Sequence, residues 1–162
     1  MEVYQGKFNF IAVCFDKKDR DAAEILIEDL QNNHLRTWSS ERGCDLTQAE
    51  DANRFAACRT VIILISKDML ASNDCAALIR AAVEQDKALV LLLIDHANLV
   101  GRDDLNAMLN RSVRMIDYAP ESVDDCINEL IGLDCVYDCM MLANETPDMK
   151  KTSIWDILNC EL

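Results

Sequence analysis

Glycine is scarce in this chain, whose 162 residues include only four. Dinucleotide-binding and P-loop sites need glycines directly after the first strand, because a side chain there would keep the backbone amides away from the phosphates. The glycines are Gly6, Gly43, Gly101 and Gly132, and none comes directly after the first aliphatic run at residues 10–15. The sequence therefore excludes both kinds of glycine-rich phosphate loop.

Histidine is scarcer still, and His34 and His96 stand alone in the sequence. Neither has a serine or cysteine partner that the pattern places beside it, and no G-x-S-x-G elbow occurs, so nothing indicates a nucleophilic triad. The nearest cysteine pair, Cys135 and Cys139, lacks the C-x-x-C spacing that is typical of zinc sites. We therefore expect no metal site, and any enzymatic chemistry would fall to carboxylates.

Basic residues are outnumbered, with 16 lysines and arginines against 29 aspartates and glutamates, and the formal net charge is -13. Such a field repels nucleic acid and anionic membrane surfaces. Long hydrophobic runs are missing as well, because the longest, ALVLLLI, spans only about a third of a bilayer. The apolar segment FNFIAVCF is short and is followed at once by DKKDRD, so we expect it not to be a secretory signal. We expect protein or small-molecule partners, no nucleic acid and no membrane insertion.

Cysteine, in contrast, is plentiful, with eight residues. Cys14, Cys58, Cys75 and Cys126 fall within apolar strand or helix patterns, as free buried thiols do. This distribution favours a reducing compartment over a disulfide framework. The sequence therefore predicts a cytoplasmic protein.

Three aliphatic runs show no polar alternation: FIAVCF (10–15), VIILIS (61–66) and ALVLLLI (88–94). Each is typical of a central parallel strand that is covered on both faces. The runs LRTWS (35–39) and SVRMIDY (112–118) alternate and suit outer strands. With helices between them, these strands predict a flavodoxin-like α/β fold of three layers, with helices on both faces of a parallel sheet in the order 2-1-3-4-5.

Apolar stripes predict where the helices lie. The stripes are Ala22, Ala23, Leu26, Ile27 and Leu30 in the first helix, Ala49, Ala52, Phe55 and Ala56 in the second, and Val123, Cys126, Ile127, Leu130 and Ile131 in the last. Thr47 and Glu50 have the spacing of a capping box, which predicts that the second helix starts near residue 48. The stretch 66–85 continues at helical spacing through the polar sequence 72–75.

The five-strand unit is complete by residue 132. The segment 133–162 still holds apolar residues, among them Trp155, that this unit leaves unaccounted for. We expect residues 1–132 to form one domain. We expect 133–162 to be a helical extension that packs on the domain or on a partner, with Trp155 partly buried.

The residues at the carboxyl ends of strands one and three are the first candidates for a functional site. An open parallel sheet has its crevice between these two strands, where the winding reverses. A phosphorylation-receiver domain shares this topology and would place an acid pair after strand one, an aspartate after strand three and a lysine after strand five. Asp16 and Asp19 could supply the acid pair, but Ser66 ends strand three and no lysine follows strand five. A receiver-like switch is therefore a remote alternative.

Four ordered segments resemble the Toll/interleukin receptor (TIR) domain over about residues 8–131: FIAVCFDKKD, LRTWSSERGCD, TVIILISKDMLASNDCAALIRAAVE and KALVLLLID. The third segment is the most specific, since TIR domains tend to carry an aliphatic strand that ends in serine, a leucine four residues on, and then S-x-W-C-x-x-E-L and a small residue. The matching positions are Ser66, Leu70, Ser72, Cys75 and Ala82. The first strand departs from the family, because it ends in Cys-Phe and not in Ser-Tyr. The pattern indicates a divergent, bacterial-type member.

The resemblance implies two functions: homotypic association in signalling and, in many members, cleavage of NAD at the nicotinamide glycosidic bond by the glutamate of W-C-x-x-E. Counting from Cys75, the glutamate position is Leu78 and the tryptophan position is Asp74. A leucine offers neither a hydrogen bond nor a charge to a cationic transition state. Asp74 lies one turn earlier on the same helix face and is the only local substitute. We therefore expect no catalytic residue.

The resemblance also implies two sets of candidate site residues. Candidates for a nucleotide pocket are Cys14, Phe15, Asp16, Asp19, Trp38, Ser66, Ser72, Asp74 and Cys75. Candidates for the family's BB loop, which often mediates contacts between TIR domains, are Ser40, Glu41, Arg42, Gly43, Cys44, Asp45 and Leu46.

The sequence thus predicts a TIR-type signalling and protein-association module without NAD-cleaving activity. Its expected partners are other TIR domains or copies of itself. No cofactor is required, although NAD is possible as a ligand or substrate. The alternative is a divergent TIR enzyme that hydrolyses or cyclises NAD in immune or antiviral signalling, using Asp74 or a residue of a neighbouring protomer.

Overall fold

The computed structural model describes residues 3–110 and 112–141 and contains a five-stranded parallel sheet in the order 2-1-3-4-5. The strands are β1 (Ile11–Cys14), β2 (Thr37–Trp38), β3 (Thr60–Ile65), β4 (Ala88–Leu93) and β5 (Arg114–Asp117). The helices are α1 (Arg20–Asn32), α2 (Ala49–Ala57), α3 (Lys67–Ala71), α4 (Asn73–Glu84), α5 (Asp103–Asn106), α6 (Val123–Ile131) and α7 (Asp134–Tyr137). The predicted flavodoxin-like fold and its sheet order are confirmed.

The sheet divides the apolar core into two layers, because successive side chains of a strand point to opposite faces. In β3, Val61, Ile63 and Ile65 pack on the face covered by α2 and α4, whereas Ile62 and Leu64 pack on the face covered by α1 and α6. All five side chains are fully buried. Burial on both faces explains why the central strands carry no polar alternation.

The stripes predicted for the first and last helices are confirmed. Helix α1 buries Ala23, Leu26, Ile27 and Leu30, and helix α6 buries Cys126, Ile127 and Leu130. The two helices pack beside each other on one face of the sheet.

Helix α2 begins at Ala49, close to the predicted start near residue 48. The prediction of a capping box is wrong. The Thr47 hydroxyl donates a hydrogen bond to Asp45 Oδ1 at 2.6 Å, and the Thr47 amide donates to the same atom at 3.0 Å. Gln48 takes the cap position without a side-chain hydrogen bond. A local turn around an aspartate therefore uses the hydroxyl that the capping box would have needed.

The apolar stripe predicted for α2 is also wrong in part. Ala49 and Ala56 are exposed, whereas the residues that the helix buries are Asp51 and Phe55. Alanine adds little apolar area, so Phe55 determines which face of the helix turns inward. The aspartate four residues earlier then shares that face.

The stretch 66–85 forms two helices. Ser66 caps α3 by accepting a hydrogen bond from Met69 N at 3.0 Å, and Ser72 caps α4 by accepting one from Asp74 N at 3.1 Å. Ser72 has extended backbone angles, so α3 ends and α4 begins at this residue. The polar sequence inside the stretch therefore marks a helix start.

Strand β2 is shorter than predicted, because the chain before it pairs elsewhere. Arg36 N donates to Cys139 O at 2.8 Å, and Leu35 forms an antiparallel bridge with Met140. The segment that follows α7 thus covers part of this edge of the sheet.

Residues 133–141 pack on the domain. The Thr60 hydroxyl donates to Cys135 O at 2.6 Å, and Val136 and Cys139 are fully buried. The rest of the predicted extension, including Trp155, lies outside the described residues. The domain boundary at 132 stays a prediction.

Candidate functional site

A crevice of about 350 Å³, here called the switch-point crevice, opens at the carboxyl ends of β1 and β3, where the sheet order reverses. Its lining residues are Phe15, Asp16, Lys17, Lys18, Arg42, Gly43, Cys44, Met69, Ser72, Asp74 and Leu78. Four of them, namely Phe15, Asp16, Ser72 and Asp74, belong to the predicted nucleotide pocket. The structure brings these four together with part of the predicted interaction loop.

Cys14 and Cys75, two further residues of the predicted pocket, lie fully buried in the core. A hydrogen bond with Cys44, together with burial, raises the pKa of the Cys14 thiol well above its usual range. Burial raises the pKa of Cys75 to about 11. Both thiols therefore stay protonated at neutral pH and act as packing side chains.

Ser66 and Asp19 join the ends of β3 and β1. The Ser66 hydroxyl donates a hydrogen bond to Asp19 Oδ2, and Ser66 Oγ also accepts one from Met69 N. Burial raises the pKa of Asp19 and neighbouring Asp16 and Asp68 raise it further, whereas the Ser66 hydrogen bond lowers it. Asp19 and Ser66 do not line the switch-point crevice, and their contact holds the two strand ends together.

Helix α4 forms one wall of the switch-point crevice through Ser72, Asp74 and Leu78. Asp74 is exposed in the first turn, where a carboxylate interacts favourably with the helix N-terminus. Leu78 is 1% exposed and belongs to the same core cluster as Cys75 and Ile79. The wall therefore presents an aliphatic side chain one turn after a solvated carboxylate.

The loop 40–46 is held by Asp51 of α2, a residue that the sequence patterns did not single out. The Asp51 side chain is 1% exposed. Its carboxylate accepts hydrogen bonds from Ser40 Oγ at 2.9 Å, Arg42 Nε at 3.3 Å, Arg42 Nη2 at 3.0 Å and Asp45 N at 2.8 Å. This contact raises the pKa of Arg42. The sequence holds one signal that Asp51 is buried, namely its position four residues before Phe55 on the same face of the helix.

Gly43 lets the loop lie against the end of β1. Its φ of +70° is left-handed, and its carbonyl accepts a hydrogen bond from Phe15 N at 3.2 Å. A Cβ at this position would lie 1.9 Å from Phe15 O, so a larger residue requires movement of the backbone. Cys44 follows with φ of +75°, and its amide donates to Ser40 Oγ at 3.0 Å.

A second cavity, of about 450 Å³, lies beside the same loop. It is lined by Val3, Gln5, Phe15, Arg20, Glu24, Trp38, Ser39, Ser40, Glu41, Arg42 and Glu50. Phe15 and Arg42 line both cavities and therefore lie between them. Trp38, which was predicted for the nucleotide pocket, belongs to this second cavity.

A third cavity, of about 420 Å³, lies at the carboxyl ends of β4 and β5 and contains none of the predicted site residues. Its acidic lining residues are Asp95, Asp117, Glu121, Asp125 and Glu129. This concentration of carboxylates makes the potential negative at the β5 side of the sheet.

The part of the chain that the structure describes contains neither a candidate metal site nor a candidate membrane-spanning helix. Within residues 3–110 and 112–141, no three histidine, cysteine or acidic side chains gather closely enough to hold a metal ion. The same residues include no helix with the length and apolar character that crossing a membrane requires.

The sheet order, the switch-point crevice and the loop beside it define a flavodoxin-like α/β domain with a crevice at the carboxyl ends of its strands, the place where domains of this topology bind ligands. A family model described as TIR domain matches residues 11–131. Since this match spans most of the chain, the chain belongs to the TIR domain family, which is a family of signalling modules. Among curated proteins, none matches the chain significantly.

Proposed function

We propose that this chain is a signalling module that associates with other TIR domains, or with copies of itself, through the loop 40–46, and that it does not cleave NAD. Association takes place in the cytoplasm and requires no cofactor. The observation that carries the proposal is the Leu78 side chain in the crevice wall. The resemblance to NAD-cleaving TIR domains implies a glutamate at that position.

Leu78 supports the absence of cleavage on chemical grounds. Departure of nicotinamide from NAD develops positive charge on the ribose, so a catalytic side chain must offer a hydrogen bond or a negative charge there. An aliphatic side chain offers neither. Leu78 is also 1% exposed in a buried cluster with Cys75 and Ile79, which gives it a packing role.

The geometry of the loop supports association. Glu41 is exposed, and 41% of the Arg42 side chain is exposed, on a backbone fixed by the left-handed Gly43 and by the Asp51 hydrogen bonds. A surface that is already ordered loses little conformational entropy when a partner binds.

The distribution of charge favours a second copy as the partner. Lys17 and Lys18 are exposed at the rim of the switch-point crevice, on the β1 side of the sheet. The third cavity, on the β5 side, is lined by carboxylates such as Asp117 and Glu121. Opposite charges on two sides of one molecule favour a head-to-tail contact between copies. Such contacts form a ring or an open row.

A second candidate function, NAD cleavage by a divergent site, is favoured by one observation. Asp74 lines the switch-point crevice together with Phe15 and Ser72, so a carboxylate does reach that space. In this alternative, Asp74 or a residue of a neighbouring protomer supplies the negative charge, and NAD is the ligand of the crevice.

Sedimentation of concentrated protein tests the association proposal. We expect the wild type to form oligomers, and we expect Glu41→Lys to do so at a concentration at least about tenfold lower, because it replaces a negative charge by a positive one on the side that faces the partner's carboxylates. Glu84→Lys is the matched control, since it makes the same change of charge at an exposed residue that ends α4, near the amino end of β4 and away from the loop. Wild type and Glu41→Lys that sediment alike would contradict the proposal.

A further inference from the structure

Asp51 is a buried carboxylate, and a buried charge is stable only where hydrogen bonds or ion pairs replace its water. Its side chain is 1% exposed, whereas its partner Arg42 is 41% exposed. The sequence gives no reason for this burial, because the face of α2 around Asp51 is otherwise formed by Phe55. The burial of Asp51 must therefore be explained by the groups that donate hydrogen bonds to its carboxylate.

Every hydrogen bond to the Asp51 carboxylate among the described residues comes from the loop 40–46. The donors are the Ser40 hydroxyl, two nitrogens of the Arg42 guanidinium and the Asp45 amide, at 2.8 to 3.3 Å. The loop and the carboxylate therefore depend on each other. Displacement of the loop would leave the carboxylate buried without partners, and loss of the carboxylate would leave the loop donors without theirs.

The Asp51 hydrogen bonds also maintain a backbone conformation that the loop would not favour alone. Cys44 has φ of +75°, a left-handed conformation that residues with a Cβ rarely adopt. The Ser40 hydroxyl donates to Asp51 and accepts from the Cys44 amide at 3.0 Å, and the Asp51 carboxylate accepts from the next amide, that of Asp45. The carboxylate thus fixes both sides of the left-handed residue.

We propose that Asp51 is the positioning residue of the association loop: it holds residues 40–46 in the binding conformation before a partner arrives, and it thereby sets the strength of association. The link to association rests on the proposed function. The reason is entropic, because a loop that is ordered in advance does not have to be ordered on binding.

The variant Asp51→Asn tests the proposal, because it keeps the shape of the side chain but puts an amide group where one carboxylate oxygen accepts. We expect the amides of Cys44 and Asp45 to exchange their hydrogens at least about tenfold faster than in the wild type. The exchange rate of the Ile63 amide in β3 should change much less. We also expect the concentration needed for half-association to rise at least about tenfold. A residue with only a general structural role would lower protection in the loop and in β3 alike.

Two further variants keep the test decisive. Asp86→Asn makes the same chemical change at an exposed turn and should alter neither measurement. If Asp51→Asn does not fold, Ser40→Ala replaces it. This variant removes one donor to Asp51 and the acceptor of the Cys44 amide, so the amide of Asp45, which still bonds to Asp51, should also exchange faster than in the wild type.

The outcomes separate the two proposals. Hydrogen exchange is measured on dilute protein, and unchanged exchange at Cys44 and Asp45 in Asp51→Asn would overturn the positioning role whether or not the protein associates. Faster exchange with unchanged association would also overturn it, provided that Glu41→Lys strengthens association as expected. If Glu41→Lys has no effect while Asp51→Asn loosens the loop, the proposed function fails, and with it the link between Asp51 and association.

Discussion

Leu78 is the residue on which the expected absence of NAD cleavage depends, and its burial is directly testable. We expect Leu78→Glu to lower the free energy of unfolding, with a loss that grows as pH rises. Burial raises the pKa of a carboxyl group in the folded state. The loss from ionisation is therefore absent below the unfolded pKa of about 4.3 and complete above the raised folded pKa. Urea unfolding at two pH values measures this difference.

The control for this prediction is Leu78→Gln, which has the shape of the glutamate without its charge. The two variants should have equal free energies of unfolding near pH 4, and at pH 8 Leu78→Glu should be less stable by at least about 1 kcal/mol. Equal stability at both pH values would mean that position 78 is well solvated. That result would favour the enzymatic alternative.

The ends of the helices differ in how they are stabilised, and this difference gives a prediction for single elements. Ser66 caps α3 and also donates to Asp19, so Ser66→Ala should lower the free energy of unfolding by about 1–2 kcal/mol. Thr47→Ala should lower it by less than about 0.5 kcal/mol, because Thr47 bonds to Asp45 and caps nothing. Thermal unfolding of both variants checks this, and a larger effect at Thr47 would show that the helix cap lies there.

The contact between α1 and α6 contains two carboxylates that oppose each other. Asp29 Oδ2 is buried and, among the described residues, has no hydrogen-bond partner. Burial raises the pKa of Asp29, and Asp124 of α6 raises it further. A raised carboxyl pKa means that stability is highest below the unfolded pKa of about 3.9 and is lost as pH rises through the folded value.

Asp29→Asn should therefore stabilise the protein near neutral pH. We expect a gain of up to about 1 kcal/mol at pH 7 that shrinks toward pH 4, because a raised pKa means that the wild-type carboxyl takes up its proton as the pH falls. Denaturant unfolding of wild type and variant at the two pH values measures it. Asp21→Asn, on the exposed face of the same helix, should give no gain, since an acid in the first turn is favourable there. A gain at Asp29 that is equal at both pH values would contradict the explanation.

The sequence predicts some elements better than others for physical reasons. The central strands and helices α1 and α6 are predictable because burial imposes a period on their apolar residues. The length of β2 is not, because its neighbours at 139–141 are more than a hundred residues away in the chain. The start of α2 is predictable to within one residue, but the predicted capping box is wrong, because the Thr47 hydroxyl bonds to Asp45 and not to the helix.

At the scale of the whole molecule, some residues of the candidate site are predictable from the sequence and others are not. Phe15 and Asp16 are predictable because parallel topology fixes where strand ends meet, and Ser72 and Asp74 follow from the motif on α4. Asp51 is not predictable from the sequence alone. A single aspartate in a helix is typical of a solvent-exposed acid, and its burial depends on a loop whose path is set by tertiary packing.

The net charge of -13 determines how the whole molecule should be tested. Copies that carry the same net charge repel one another at long range, and salt screens this repulsion over about 8 Å at physiological ionic strength. Salt screens the attraction between the opposite charges of a head-to-tail contact less, because these charges lie closer together than this distance. Association is therefore expected to be stronger at moderate salt than at low salt. An assay that requires assembled protein should be run at physiological ionic strength or above.

Nicotinamide release from NAD tests the central claim most directly. Wild-type protein is incubated with NAD at a concentration where sedimentation shows that association is complete, beside buffer alone and Asp74→Ala. An association module without the family's glutamate should release no more nicotinamide than buffer, and Asp74→Ala should change nothing. Wild-type release above that of buffer would contradict the account, and its loss in Asp74→Ala would identify Asp74 as the carboxylate responsible.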